Sequence, residues 1–535
     1  MPPDTPATKP PRPAKAADAA PKPEPAERLA RTTTPKPRRD VGLAWLVVLG
    51  LVVLAAAPLL IDLNQPALWS EQEALAFAIS TETHTRKTPV TDAQTSLDAW
   101  TPVYEGASRW DIAPGGVWLH QVMYTGLDAT GSADEAGVRQ RMLLRARLGS
   151  VLMALLFVAA VFWIGHSLGG VSTGALSAAV AMTLPLVIGF GRSATPDAAA
   201  LAWSTLSIAG ALWAMRPLRA SPALTRQLIG WLVCGAALGL AALTAGPRAV
   251  PTTLLCTVVL AMLCPRRVGH VMGLIGSTAI AALFVTPWAL HVHDHDPNVW
   301  QMWVNELTPD VAEVGVVQVL HRAGWRLSMS ATLAGLWLVW LIPAVAQPFS
   351  TSTGKARRKL MLGWAWLVTS AVLVALAPGP TRLATLLVTV APASVSIGLV
   401  MQQFHDLSAE GRHARLWLVC RWIAAGSMLV LAVGLPTLAY LLSYRPDLLH
   451  ALPELKRPLL LPMELAYYIG AAVALLLASG LFVRFAVGHH AGRTVACLAL
   501  WLLTVFTLGI IPIARGPLLN SPAELPDPAP PSASL

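Results

Sequence analysis

Two glutamates directly follow the first long apolar run of the chain and are its first candidates for chemistry. They stand in the segment Leu68-Trp69-Ser70-Glu71-Gln72-Glu73-Ala74, after an apolar run over about 42–61. A carboxylate whose basicity is raised by burial can act as a general base or bind a metal ion. Glutamates here are also typical of the solvated first turn of a helix, where the helix dipole favours them. Glu71 and Glu73 are therefore candidate catalytic residues, with a helix start as the alternative.

Three lone arginines, Arg192, Arg248 and Arg382, each stand in a short connection between two apolar runs. A cation beside a membrane core usually has an anionic partner. The guanidinium stays charged and matches phosphate oxygens with paired hydrogen bonds. We therefore predict that the three arginines bind a phosphate-bearing ligand. Around Arg192 a structural account also suffices, because Asp197 can pair with it and Ser193 or Thr195 can cap the next helix.

A third cluster is His291-Val292-His293-Asp294-His295-Asp296. Alternating histidines and carboxylates can bind a divalent cation, so His291, His293 and His295 are candidate metal ligands. A solvated loop tip is the alternative. The sequence indicates no other cofactor, since it contains neither of the glycine-rich loops that bind nucleotides.

The composition shows what must position these residues. Of 535 residues, 55% are hydrophobic and 13% are charged, which excludes an ordinary soluble protein and predicts a polytopic membrane protein. The net charge of +10 is concentrated in the N-terminal tail and in alternate connections. It therefore reports membrane orientation and not nucleic-acid binding.

Thirteen apolar runs are candidate transmembrane helices, since about 20 residues cross a hydrocarbon core of about 30 Å. They lie at about 42–61, 147–168, 170–190, 196–215, 228–246, 249–264, 268–291, 327–348, 360–377, 382–402, 416–442, 463–484 and 494–514. A cytoplasmic N-terminus puts every clustered set of Lys and Arg between these runs on the inner side, as the positive-inside rule requires. The odd count then places the C-terminus in the periplasm.

The predicted fold class is an all-α polytopic membrane protein of about 13 transmembrane helices. A long outer loop over 62–146 carries interfacial helices, one of them around 73–79. Four regions follow: a disordered tail rich in Pro, Lys and Arg at 1–40, a transmembrane module at 41–405, C-terminal transmembrane helices at 406–515, and a disordered Pro-rich outer tail at 516–535.

The order of several short motifs resembles the GT-C superfamily of lipid-linked sugar transferases, especially the protein O-mannosyltransferase and lipid A aminoarabinose transferase group. Each motif is weak alone, and the resemblance lies in their series over about 40–405. The counterparts are Gln72-Glu73 after the first run, Ala113-Pro114-Gly115, Arg147-Leu148-Gly149-Ser150, Arg192 to Asp197, Leu243-Thr244-Ala245-Gly246-Pro247-Arg248, Pro287-Trp288 and Gly379-Pro380-Thr381-Arg382.

The resemblance implies a multi-pass glycosyltransferase of the inner membrane that acts at the periplasmic face. It would transfer a hexose or pentose from a polyprenyl-phosphate-linked donor to a lipid, glycan or protein acceptor, among membrane lipids and without nucleic acid. Glu71 or Glu73 would deprotonate the acceptor, and Arg192, Arg248 and Arg382 would hold the donor phosphate. The remaining site-lining or structural positions are Asp111, Arg147, Asp197 and Trp288.

Two departures from the family pattern keep other interpretations open. The family's first-loop Asp aligns with Gln72, and the Lys of its Thr-Lys-Gly-Pro turn aligns with Ala245, although Arg248 can restore that charge. A catalytically degenerate relative is therefore one alternative. The other is a transporter or flippase of a lipid carrier, which the nearly charge-free spans disfavour.

Overall fold

The apolar runs form helices because a backbone within hydrocarbon must satisfy its hydrogen bonds within its own segment. The computed structural model describes residues 39–64, 71–85, 101–110, 112–127, 135–215, 224–265, 267–307, 315–350, 354–378, 383–409, 415–444, 459–460, 465–487, 491–510 and 514–515. The predicted disordered tails at 1–40 and 516–535 lie almost wholly outside the described residues. Compactness divides the chain into Met1–Trp45 and Leu46–Leu535, and the second part holds every described helix and strand except the beginning of the helix Arg39–Leu60.

The first half begins with a long helix and several short elements and continues as a series of helices. Its elements are α1 (Arg39–Leu60), α2 (Glu71–Thr85), β1 (Val103–Tyr104), β2 (Ala107–Ser108), α3 (Gly115–Tyr124), α4 (Glu135–Gly169), α5 (Val171–Ala181), α6 (Pro185–Arg192), α7 (Asp197–Met215), α8 (Leu224–Ala245) and α9 (Ala249–Leu263).

The second half continues the helical pattern. Its elements are α10 (Arg267–His295), α11 (Val299–Leu307), α12 (Val316–Leu333), α13 (Leu338–Ser350), α14 (Gly354–Ala375), α15 (Leu383–Leu386), α16 (Val390–Ala409), α17 (Arg415–Tyr444), β3 (Leu459–Leu460), α18 (Leu465–Val487), α19 (Ala491–Thr504) and β4 (Ala514–Arg515). The strands form two antiparallel pairs, β1 with β2 and β3 with β4.

The described helices confirm an all-α multi-pass membrane protein. Eight of them are long and apolar enough to cross a membrane, and two bent pairs bring the number to as many as ten. At the three remaining predicted spans the structure has shorter apolar helices, over Ala44–Leu60, Ala249–Leu263 and Arg493–Thr507. The count of 13 thus stays a prediction.

Both bends have a local cause. The pair α5 and α6 is bent by 66°, and α6 begins at Pro185, whose ring cannot continue the preceding helix. The pair α12 and α13 is bent by 103° beside Gly335, which has a φ of +58° that side chains disfavour. Before the second bend, α12 lies against the end of α14, which Arg326 of α12 contacts.

The first outer segment packs against protein. Helix α2 includes residues 73–79, which were predicted to form an interfacial helix. Its apolar side chains Phe77 and Ile79 are buried. Phe77 packs in a cluster with Tyr124 of α3 and Met142 of α4. The apolar face of α2 is therefore covered by α3 and α4.

Candidate active site

A cavity of about 670 Å³ lies among α7, α9, α14 and the start of α16. Helix α7 contributes wall residues from Asp197 to Ile208, so the cavity follows that helix for about 16 Å at 1.5 Å per residue. The wall beyond the first turn is largely apolar, with Leu201 and Leu373 among its residues. Its shape and polarity suit a ligand that has an apolar chain and a polar head.

Three helices begin at one end of this cavity. Ala113 just before α3, Asp197 at the start of α7 and Arg248 just before α9 all line it. Each helix N-terminus carries a partial positive charge and backbone N–H groups without intrahelical partners. Their convergence makes this end favourable for an anion.

The approach of α3 depends on glycine. A Cβ at Gly115 would lie 2.7 Å from the carbonyl oxygen of Leu243, and one at Gly116 would lie 2.6 Å from the Cβ of Pro196. Larger residues would therefore push α3 away from the ends of α7 and α8. The Ala-Pro-Gly segment singled out in the sequence thus allows close packing at the cavity entrance.

Two of the predicted site residues meet in this cavity. Asp197 and Arg248 supply opposite charges at the same end, and Thr244 and Thr252 line it beside them. Pro378 also lines the cavity. Arg382, four residues further, lies outside the described residues, as does Asp111. The side chain of Glu71 is likewise not described, although its backbone begins α2.

Glu73 has a different position from the one predicted. Its carboxylate is fully buried and accepts hydrogen bonds from Nε of Arg147 at 2.9 Å and from Nη2 of Arg147 at 3.2 Å. It also accepts the backbone N–H of Ala194 at 2.8 Å. Both carboxylate oxygens are thus occupied by donors of the protein itself, which leaves neither placed to take a proton from an acceptor. The structure therefore corrects the catalytic assignment: Glu73 joins α2, α4 and the α6–α7 turn.

Arg147 completes this connection. Its Nη1 donates to the carbonyl of Leu63 at 3.1 Å, and its side chain is fully buried. Arg147 thus links the end of α1, helix α2 and helix α4. We call Glu73, Arg147 and Ala194 the buried clamp.

Arg192 also departs from its predicted role. Its Nη1 donates to the carbonyl oxygens of Pro58 at 2.7 Å and Leu59 at 3.4 Å, at the end of α1. The last carbonyls of a helix lack intrahelical partners, and an arginine there both bonds them and favours the helix dipole. Arg192 does not line the cavity, as far as its described wall extends. The phosphate site of three arginines is therefore wrong in including Arg192.

Trp288 lies in an aromatic cluster beside the cavity. It is buried, and its ring lies 5.7 Å from Trp118 and 6.4 Å from Trp110 between centroids. Leu243 belongs to the same cluster, next to the cavity residue Thr244. Trp288 thus packs the first outer segment, through Trp110 and Trp118, against α10.

The three histidines do not form the predicted metal site. His291 is buried and His295 stacks on Trp110 at 4.6 Å, whereas His293 is exposed. All three stand on α10, where positions two residues apart point about 200° away from each other. Among the described residues, no group of three His, Cys, Asp or Glu side chains is arranged to hold a metal ion.

His120 is a buried histidine that the sequence did not single out. Its Nδ1 lies 2.7 Å from Oγ of Ser80, and its Nε2 has no hydrogen-bond partner within the described chain. Ser80 donates its single proton to the carbonyl of Ala76, so Nδ1 is the donor to Ser80. Burial lowers the pKa of His120 from 6.5 to about 4.

We expect this histidine to make folding stability depend on pH. Because its folded pKa lies below its unfolded pKa, its neutral form stabilises the fold above about pH 6.5. That stability is lost as the pH falls toward 4, by about 3 kcal/mol in all. His120→Leu should flatten the fall in melting temperature between pH 6.5 and 4.5, and His293→Asn at an exposed position should leave it unchanged. Equal slopes in all three proteins would contradict this role.

The sequence also gave no signal for Arg326. This side chain is buried behind the cavity wall, where it donates to backbone carbonyls at the end of α14. Arg326 follows Arg322 by four residues and is therefore not a lone arginine. The distribution of charge along the sequence does not separate it from its neighbours.

Known proteins resemble this chain in both sequence and fold. The family model for dolichyl-phosphate-mannose-protein mannosyltransferase matches residues 115–302, which include about half of the residues of the cavity wall. The undecaprenyl phosphate-alpha-4-amino-4-deoxy-L-arabinose arabinosyl transferase of Pectobacterium carotovorum is 25% identical over 394 residues, which cover 72% of this chain. That of Erwinia tasmaniensis is 27% identical over 348 residues, which cover 64% of it. The matches span 64% and 60% of those relatives' own lengths.

Among solved structures, ArnT from Cupriavidus metallidurans bound to undecaprenyl phosphate has a TM-score of 0.60 at 16% identity. The match covers 86% of this chain and 77% of ArnT. The archaeal oligosaccharyltransferase AglB from Archaeoglobus fulgidus has a TM-score of 0.51 at 11% identity, over 89% of this chain and 56% of AglB. At these identities the structures establish a shared fold.

Proposed function

We propose that this chain, which resembles the GT-C superfamily of lipid-linked sugar transferases in sequence and in fold, transfers a sugar from a polyprenyl-phosphate-linked donor. The observation that carries the proposal is the cavity with an apolar wall, with Arg248 and three helix N-termini at one end. An amphiphile with an anionic head matches both parts. The names of the sequence relatives support undecaprenyl phosphate as the carrier.

The proposed reaction is a displacement at the anomeric carbon of the donor. An acceptor hydroxyl oxygen forms the new bond, the bond from that carbon to the phosphate oxygen breaks, and a carboxylate takes the hydroxyl proton. Arg248, together with Arg382, would stabilise the charge that develops on the departing phosphate. The acceptor is a lipid, glycan or protein at the periplasmic face of the inner membrane.

The base is one of two carboxylates. Glu71 is our first candidate, because Glu73 is committed to the buried clamp while Glu71 begins the same helix. Asp197 is the second, because it lines the cavity opposite in charge to Arg248. Asp197 would also suit a donor sugar that carries an ammonium group, as the relatives' names suggest.

A transfer assay with the purified full-length protein tests this function. The donor should be an undecaprenyl phosphate-linked sugar, with the aminoarabinose donor first, and release of undecaprenyl phosphate should be followed over time. We expect turnover that undecaprenyl phosphate inhibits and that uncharged undecaprenol does not, because only the phosphate meets Arg248.

The outcomes separate the alternatives. Tight binding of undecaprenyl phosphate without turnover of any donor would indicate a degenerate relative, in line with Gln72 and Ala245. Equal binding of undecaprenol and undecaprenyl phosphate would contradict the phosphate site. Glu71→Gln and Asp197→Asn then identify the base, since the correct one should lose turnover while undecaprenyl phosphate still binds.

A further inference from the structure

Arg326 joins α12 to the wall of the cavity. Its Nη1 donates to the carbonyl oxygens of Val374 and Ala375, each at 3.4 Å, and to that of Ala377. The side chain is only 2% exposed, so it lies between α12 and the end of α14. One buried cation thus bonds three carbonyls within four residues, where α14 ends at Ala375.

The chemistry of these acceptors explains the need for an arginine. At this helix end the carbonyl of Val374 accepts one long backbone hydrogen bond, from the N–H of Ala377 at 3.4 Å, and burial removes the water that would otherwise bond these oxygens. A guanidinium supplies several donors in one plane and favours the negative end of the helix dipole. Lysine would keep the charge without that fixed geometry.

The carbonyls that Arg326 bonds belong to the cavity. Val374 and Ala377 line it, and Pro378 lines it next in the chain. The wall resumes at Ala384 in α15, after the segment 379–382 that carries Arg382. Arg326 therefore fixes the backbone from which that connection departs.

The opposite side of α12 is apolar and open. Val317, Leu320 and Trp325 are exposed by 80%, 66% and 59%, whereas Arg326 faces inward. Together with the 103° bend before α13, this pattern is that of a helix lying along the bilayer surface. Arg326 is the side chain by which such a helix would hold the end of α14.

We infer that Arg326 is a positioning residue for the lipid-phosphate cavity: it fastens the surface helix α12 to the α14 end and so sets the shape of the wall beside the phosphate. The inference rests on the proposed function, because the cavity is taken to hold a polyprenyl phosphate. Misplacing a binding wall by a fraction of an ångström weakens binding without removing any contact group.

Arg421 provides a matched control. It is also buried, and its Nη1 donates to the carbonyl of Ala486 at 2.5 Å near the end of α18. It makes the same kind of contact with a helix end, but neither Arg421 nor Ala486 lines the cavity within its described wall. Replacing either arginine should lower the stability of the protein, but only replacing Arg326 should weaken ligand binding.

The test uses the full chain in lipid nanodiscs, with undecaprenyl phosphate as the probe. Arg326→Gln should weaken its binding about tenfold, Arg326→Lys less, and Arg421→Gln by less than about twofold. Hydrogen exchange of the amides of 374–377 should accelerate in Arg326→Gln and not in Arg421→Gln. Unchanged binding in Arg326→Gln, or an equal loss in both Gln variants, would overturn the inference.

Failure of the proposed function gives a distinct result. In that case the wild type itself would not bind undecaprenyl phosphate, whatever the variants do. The positioning role is then decided by the exchange measurement alone. Faster exchange at 374–377 confined to Arg326→Gln would retain it, and equal exchange in all proteins would overturn it.

Discussion

Replacing Arg147 with alanine should lower the free energy of unfolding by about 3–5 kcal/mol, because it leaves the buried carboxylate of Glu73 without its counter-charge. Both side chains of this pair are fully buried. Removing one partner of such a pair costs more than the pair contributes, since the remaining charge has lost the water that would stabilise it. Unfolding of the purified protein at neutral pH, followed by temperature or denaturant, measures the effect.

Arg145 is the control on the same helix. It also reaches from α4 to the first outer segment, where its Nη1 donates to the carbonyl of Thr125 at 2.7 Å. That contact is exposed, so Arg145→Ala should cost about 1 kcal/mol or less. Comparable losses in Arg145→Ala and Arg147→Ala would show that the clamp is not what stabilises α2.

A double substitution tests whether the loss of stability comes from leaving one buried charge unpaired. Glu73→Gln with Arg147→Met removes both charges, and we expect it to be more stable than Arg147→Ala alone. If the double variant instead loses the sum of the two single effects, Glu73 and Arg147 act independently and the clamp fails as an explanation. The backbone N–H of Ala194 keeps an acceptor in the Glu73→Gln background, because the amide oxygen can still bond it.

The clamp also shows which part of the site the sequence could predict. Glu73, Arg147 and Ala194 fall in three separate motifs of the family series, and the order of those motifs was sufficient to mark all three regions. It did not reveal that they contact one another, because side-chain pairing across 74 and 121 residues depends on how the helices pack. A glutamate after an apolar run therefore predicted a base, and the fold made it half of a salt bridge.

Arg192 and Arg248 have different surroundings for a related reason. Alternating charge located Arg192 and Arg248 at the ends of spans, and both positions were correct. A turn does not determine the direction of a long side chain. Arg192 extends to the carbonyls of α1, whereas Arg248 lines the cavity. The histidines failed for a simpler reason: alternate spacing suits ligands on an extended strand, and here helix α10 continues through them to His295.

Arg248→Ala should lower kcat/KM for transfer from an undecaprenyl phosphate-linked donor about 100-fold, because a charge-assisted donor to the leaving phosphate is lost. Among the described residues that line the cavity, Arg248 is the basic one, and Ala245 stands where the family has its lysine. The three helix N-termini, with their partial positive charges, remain in the variant, so binding of the lipid phosphate should weaken without vanishing. Arg248→Lys should keep part of the rate, since the charge persists without the paired geometry.

Arg358 is the matched control for this prediction. Its Nη2 donates to the carbonyl of Leu263 at 3.3 Å, at the opposite end of α9 from Arg248. Arg358 stands on α14, and Arg358→Ala removes a charge that contacts the other end of α9, away from the cavity, so it should leave kcat/KM within about twofold of the wild type. A loss in kcat/KM of equal size in both variants would mean that α9 is merely destabilised. A loss confined to Arg248→Ala, greater for the phosphate-linked donor than for binding of undecaprenol, would place the phosphate at this end of the cavity, where three helices begin.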